Sequence, residues 1–182
     1  VAAVGMTFVI LSGGIDLSVG AMVGFISIFV ATMIEKQGMH PGLAIPIALA
    51  VGVAFGASMG CIIAFFRLPP FLVTLAGMFL ARGVALVISK ESIGIKHAMY
   101  GAITDLDFPI PATALIFIAV LIVGIYLAQY TRLARTVYAI GGHEQSALLL
   151  GLPLASMKLR LYASSGLCSA TAGVVRAIVT SR

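Results

Sequence analysis

The sequence predicts an all-α fold, a polytopic bundle of membrane helices, and three observations carry that prediction. Of the 182 residues, 61% are hydrophobic and only 9% charged, against about 25% charged in a soluble domain. The apolar residues fall into runs near the roughly 17–25 that a helix needs to cross a bilayer at 1.5 Å per residue. Short segments rich in Gly, Pro and charge separate those runs, as helix punctuation does. The net charge of +5 is scattered over loops and helix ends and forms no single patch, which argues against a nucleic-acid partner. Cys61 and Cys168 both lie in apolar runs, and His40, His97 and His143 stand apart. That pattern offers neither a disulfide nor a metal centre, and no catalytic constellation accompanies it.

Taken in order, Val1 to Leu11 is too short to span and reads as the tail of a helix begun upstream. With Arg182 directly after an apolar run, the chain reads as a fragment, 1–182, of one longer transmembrane domain. Leu17 to Ile34 is long enough to span, and Glu35-Lys36-Gln37-Gly38 ends it. Leu43 to Phe66 follows Pro41-Gly42 and closes at Arg67. Within it Ala48, Gly52, Gly56, Gly60 and Ala64 recur every four residues, a smooth strip that lets another helix backbone approach closely. Pro69-Pro70 forces a non-helical start to Phe71–Ser89, a run that contains Arg82. An arginine at bilayer centre costs about 2.5–3.5 kcal/mol, so Arg82 should face protein or water, or snorkel to the interface. A polar linker, Lys90 to Pro111, precedes a span at Ala112–Tyr130. The basic segment Thr131–Arg160 and a last span, Leu161–Val179, complete five spans and a partial one. Alternation puts Arg67, Arg132, Arg135, Lys158 and Arg160 on one side, five basic residues against three in 35–41 and 90–111. The positive-inside rule therefore makes 131–160 cytoplasmic.

The stretch Leu11-Ser12-Gly13-Gly14-Ile15-Asp16-Leu17-Ser18-Val19-Gly20 interrupts otherwise apolar sequence. Gly13 and Gly14 suit a helix C-terminus, and Asp16 suits the N-cap of the next helix. Two readings stay open: a broken helix lining a solute path, with Asp16, Ser18 and Arg82 near it, or a turn between two ordinary helices. Leu11–Gly14 also spells the start of the signature of transporter ATPases. That signature belongs to soluble domains with a GxxxxGK[ST] loop, which is absent from these residues, so no ATP hydrolysis is expected of this chain.

Three strings then make the chain resemble the permease subunits of bacterial ABC importers for ribose, xylose and related sugars. They are Gly5–Ile10 running into LSGGIDLSVG, Thr74-Leu75-Ala76-Gly77 with Arg82-Gly83, and Tyr138–Gly142 followed by Gln145–Gly151. The details of 75–100 look closest to the galactofuranose-type branch. The resemblance implies an inner-membrane, multi-pass subunit that pairs with a second permease subunit. It also implies an ATPase that binds the ATP and a periplasmic sugar-binding protein, and it implies no cofactor in this chain. A cytoplasmic coupling segment within 131–160 is implied as well, at Gly142, Glu144, Gln145, Ser146, Ala147 and Gly151. The usual Glu-Ala-Ala, three residues, Gly pattern is altered: Gln145 replaces the acid, Glu144 comes one residue early, and His143 stands where many members have asparagine. Small side chains at Ser146 and Ala147 would allow close docking, and Gly151 would end the short helix. The residues alone leave other readings open: a branched-chain amino-acid permease, a secondary transporter with a coupling ion on Asp16, or a scaffold built on the glycine strip.

Overall fold

The computed structural model describes residues 1–89, 91, 93–94 and 112–180. The expected 90–111 linker, with His97, Asp105 and Asp107, lies outside the described residues apart from Glu91, Ile93 and Gly94. Among the described residues eight helices follow one another: α1 (Ala2–Leu11), α2 (Val19–Glu35), α3 (Pro41–Phe65), α4 (Pro70–Ile88), α5 (Ala112–Tyr130), α6 (Arg132–Gly142), α7 (Glu144–Leu149) and α8 (Leu154–Thr180). No strand occurs among the described residues.

Helix α8 is the hub, packed on α1, α2 and α3. The glycine strip of α3 faces it. A Cβ on Gly52 would land on Ala170, one on Gly56 on the Tyr162 carbonyl, and one on Gly60 within 2.9 Å of the Leu159 Cα. The contact is reciprocal, because a Cβ on Gly166 would land on the Gly52 carbonyl. The bare face of α3 therefore lies directly on the backbone of α8 over about two turns, as small residues at this spacing permit. These pairings make α3 antiparallel to α8. Gly5 meets Ser165 and Cys168, while Gly173 meets Val23 and Ile26. Helix α1 consequently runs against α8 and α2 runs with it.

The proline signals read correctly. Pro69 occupies the N-cap of α4 with Pro70 at N1, and Pro41 starts α3, where the missing amide hydrogen costs nothing. His40 caps α3, its Nδ1 accepting from the Gly42 amide at 3.1 Å.

Helices occur at all six apolar runs, but fewer than expected meet the demands of a span. Helices α3 and α4 are long and apolar enough; α5 with α6 would be a third, bent by 71°. Helix α2 has only 17 residues because it starts at Val19, so it reaches about 26 Å against a hydrocarbon core of about 30 Å. Helix α8 has 27 residues, but Ser164, Ser165, Ser169 and Thr171 and the glycines lower its apolarity. A helix enclosed by three others does not need a lipid-facing surface. Phe79, Leu80, Val87, Ile122 and Tyr126 are exposed on α4 and α5, as lipid-facing residues would be.

Candidate functional site

The Gly13–Ser18 segment is a reversal between α1 and α2. Gly13 has φ +78, and its amide donates to the Ile10 carbonyl at 2.9 Å while that of Gly14 donates to Val9 at 3.0 Å. This bond pair closes a helix through one left-handed residue, as the glycines predict. The expected N-cap is corrected by two residues. Ser18 occupies that position, and Asp16 sits upstream with its Oδ1 accepting from the Ser18 amide at 3.0 Å and the Ser18 hydroxyl at 2.6 Å. A short acidic side chain reaches its own backbone two residues on more readily than it reaches further into the helix. Its other oxygen, Oδ2, accepts from the Ser165 hydroxyl of α8 at 2.7 Å.

Asp16 is 2% exposed, Ser18 1% and Ser165 0%. Burying such groups is tolerable only when they are paired, since each orphan costs about 1–3 kcal/mol. The Ile15 carbonyl is held likewise, by the Tyr162 hydroxyl at 3.2 Å, with the Thr74 hydroxyl, which donates to the Pro70 carbonyl at 2.9 Å, lying 3.4 Å away. Ser165 stands eleven residues beyond Leu154, about 16 Å along α8. The Asp16 side of the turn thus meets α8 partway along its length.

Not every expected member joins it. Gly20 is exposed, with nothing within 4 Å of a Cβ. Arg82 is exposed on α4, eight residues or about 12 Å beyond Thr74, and no ion pair reaches it among the described residues. Gly13, Gly14, Asp16 and Ser18 form one unit without these two.

The second element is α6–α7. Helix α6 buries Ala134, Val137 and Ile140 and exposes Arg132 and Arg135, the one-sided pattern of a helix lying on a surface. A Cβ on Gly141 would land on the Leu11 carbonyl, so α6 ends against the end of α1. His143 then does the work of an asparagine: its Nδ1 accepts from the Ser146 amide at 3.3 Å and caps α7. Gly151, at φ +73, closes α7 with the Gly151→Leu148 bond at 3.0 Å and the Leu152→Ala147 bond at 3.1 Å. Glu144 pairs with Lys158 of α8.

Ala147 requires a correction. It is 1% exposed and packs with Phe8, Val137, Ile140, Met157 and Leu161, so its small size serves this chain's own packing. Gly142, Gln145 and Ser146 are exposed. So are Leu148, Leu149 and Leu150, at 62%, 88% and 76%. A cleft of about 820 Å³, lined in part by Arg67, Pro69, Glu144, Leu148 and Lys158, runs beside them. It places Arg67 and Lys158 on one side, as charge counting expects.

The cap yields a prediction. His143→Ala should cost about 0.5–2 kcal/mol of local stability and His143→Asn little, read as faster amide exchange over 144–152 in the alanine variant only.

Sequence reasoning passed over Ser165, Tyr162 and Gly166. The signal was present in α8, where Tyr162, Gly166 and Ala170, and Ser165, Ser169 and Gly173, recur every four residues. Thr74 and Gly141 belonged to quoted strings without a role.

Comparison with known proteins agrees with this architecture. The family model described as "Branched-chain amino acid transport system / permease component" matches residues 1–181. The inner membrane ABC transporter permease protein YjfF of Escherichia coli (strain K12) is 47% identical over 184 residues, covering 98% of this chain and 56% of that protein. The ribose import permease protein RbsC of Bacillus subtilis (strain 168) is 40% identical over 186 residues, covering 99% and 56%. The fructose import permease protein FruG of Bifidobacterium longum (strain NCC 2705) is 37% identical over 185 residues, covering 95% and 54%. The chain spans about half the length of the curated relatives it matches. No solved structure gives a significant match. A chain matched almost end to end by one permease model, and folded as an all-helical bundle with apolar outer faces, belongs to the family of branched-chain amino acid transport system permease components, which are transport subunits and not enzymes.

Proposed function

We propose that this chain is the transmembrane part of a permease subunit that carries a monosaccharide across the bacterial inner membrane, driven by ATP hydrolysed in a separate ATPase subunit. A second permease subunit completes the pathway, and a periplasmic binding protein delivers the sugar. The observation that carries the reading is 37–47% identity, over nearly the whole chain, to proteins named as an ABC transporter permease and as ribose and fructose import permeases. Galactofuranose is the sugar favoured by the resemblance of 75–100. The absence of tryptophan fits a path with little aromatic stacking, where the binding protein supplies the affinity. The family description keeps branched-chain amino acids as the second reading. Uptake of labelled galactofuranose, ribose, fructose and leucine by the full-length complex with its binding protein separates the two: sugar uptake supports the proposal, and leucine uptake alone contradicts it.

The α6–α7 element is the coupling segment in this reading. Leu149, at 88% exposure, is its contact residue, and Ala147 shapes the segment from within. Leu149→Asp places a charge where an apolar partner surface would close over it. Co-purification of the ATPase should fall at least tenfold while permease abundance stays near wild type. Retained binding would make this segment an ordinary loop.

A further inference from the structure

We infer that Ser165 is a positioning residue through which the coupling segment moves the Gly13–Ser18 turn; this rests on the transport reading above. Helix α8 runs unbroken from Leu154 to Thr180. At its base Lys158 pairs with Glu144 of α7, and Met157 and Leu161 pack on Ala147. One to two turns further on, Tyr162 and Ser165 hold Ile15 and Asp16. A displacement of α7 therefore reaches the Asp16 side of the turn along a single unbroken helix, while Gly141 of α6 meets the Leu11 side directly.

The two sides of α8 are built differently. Towards α3 it makes bare backbone contact at Gly52, Gly56 and Gly166, which leaves no room to slide and binds the two helices into one block. Towards the turn it offers hydroxyls, whose hydrogen bonds can break and reform without repacking. Packing alone would be served by small apolar groups, as at Gly52 and Ala170. A carboxylate in that place carries a desolvation cost that they do not. Directional bonds from a moving block to a short turn are what transmission needs, and Ser165 makes the only one to Asp16 from another helix among the described residues.

The test is ATP hydrolysed per sugar imported by the full-length complex in vesicles, for wild type, Ser165→Ala, Ser165→Thr and Tyr162→Phe. Tyr162→Phe deletes only a hydroxyl and keeps the ring, so it reads the same linkage should Ser165→Ala fail to accumulate. Ser165→Ala should raise the ratio about tenfold, the scale of one lost hydrogen bond to a carboxylate, and Tyr162→Phe should raise it about threefold. Ser165→Thr, which keeps the hydroxyl, should restore the ratio towards wild type. ATPase co-purified per permease should remain at the wild-type value. A wild-type ratio in both hydroxyl deletions, with uptake and hydrolysis falling together in step with abundance, would overturn the inference alone. A wild-type complex without ATP-dependent sugar uptake would overturn the transport reading and this inference with it.

Discussion

Gly56→Leu is expected to abolish assembly of the bundle. A Cβ at this position already falls on the Tyr162 carbonyl and within 3.2 Å of the Gly166 Cα, and backbone on both sides cannot turn away as a side chain can. Overpacking a core costs about 1–3 kcal/mol where side chains can adjust. Here α3 and α8 must separate, so the cost should exceed about 3 kcal/mol, against a typical total of about 5–15 kcal/mol. Gly166→Leu should fail in the same way from the opposite helix. Gly24→Ala, where a Cβ meets nothing within 4 Å, should be tolerated. Size-exclusion profiles in mild detergent check all three, and a monodisperse wild-type peak from Gly56→Leu would show that α3 and α8 do not touch.

Asp16→Ala should be the second most damaging change. It strands the Ser18 amide, the Ser18 hydroxyl and the Ser165 hydroxyl, all buried, at about 1–3 kcal/mol for each group that finds no new partner. The expected loss is about 3 kcal/mol, with uptake falling further than abundance. Asn keeps an oxygen for Ser18, and its amide can donate to Ser165, whose hydroxyl also accepts. Asp16→Asn should cost about 1 kcal/mol and retain most uptake. Equal and complete loss of uptake in both variants at normal abundance would instead assign Asp16 a coupling ion, as in a secondary transporter. Thermal unfolding in detergent and vesicle uptake together separate these outcomes.

What was legible in the sequence was local. Gly13 and Gly151 each ended a helix through a left-handed residue, Pro41 and Pro70 each opened one, and the four-residue strip of α3 announced a close contact. These signals sit within a few neighbouring positions and depend on backbone sterics alone. The partner of the strip was not legible, because Gly166 and Ala170 lie more than a hundred residues away and nothing in α3 names them. Asp16 was recognised as a residue that satisfies a helix start, but its second bond, to Ser165, is a matter of tertiary placement. Ala147 was misassigned for a related reason: a small residue in a short helix suits an outer docking face and an inner packing face equally. Only the positions of Phe8, Met157 and Leu161 decide between them. Arg82 illustrates the limit on the other side, since a charge in an apolar run invites a partner, and the structure leaves it exposed on α4.

The most direct test of the transport account is the energy source for uptake by the full-length complex in sealed vesicles, with binding protein and labelled sugar. The account predicts that uptake requires ATP inside the compartment that holds the ATPase and the α6–α7 segment. It predicts also that an uncoupler leaves the rate unchanged and that Leu149→Asp removes uptake together with ATPase binding. Uptake that continues without ATP, collapses with the uncoupler and ignores Leu149→Asp would contradict it.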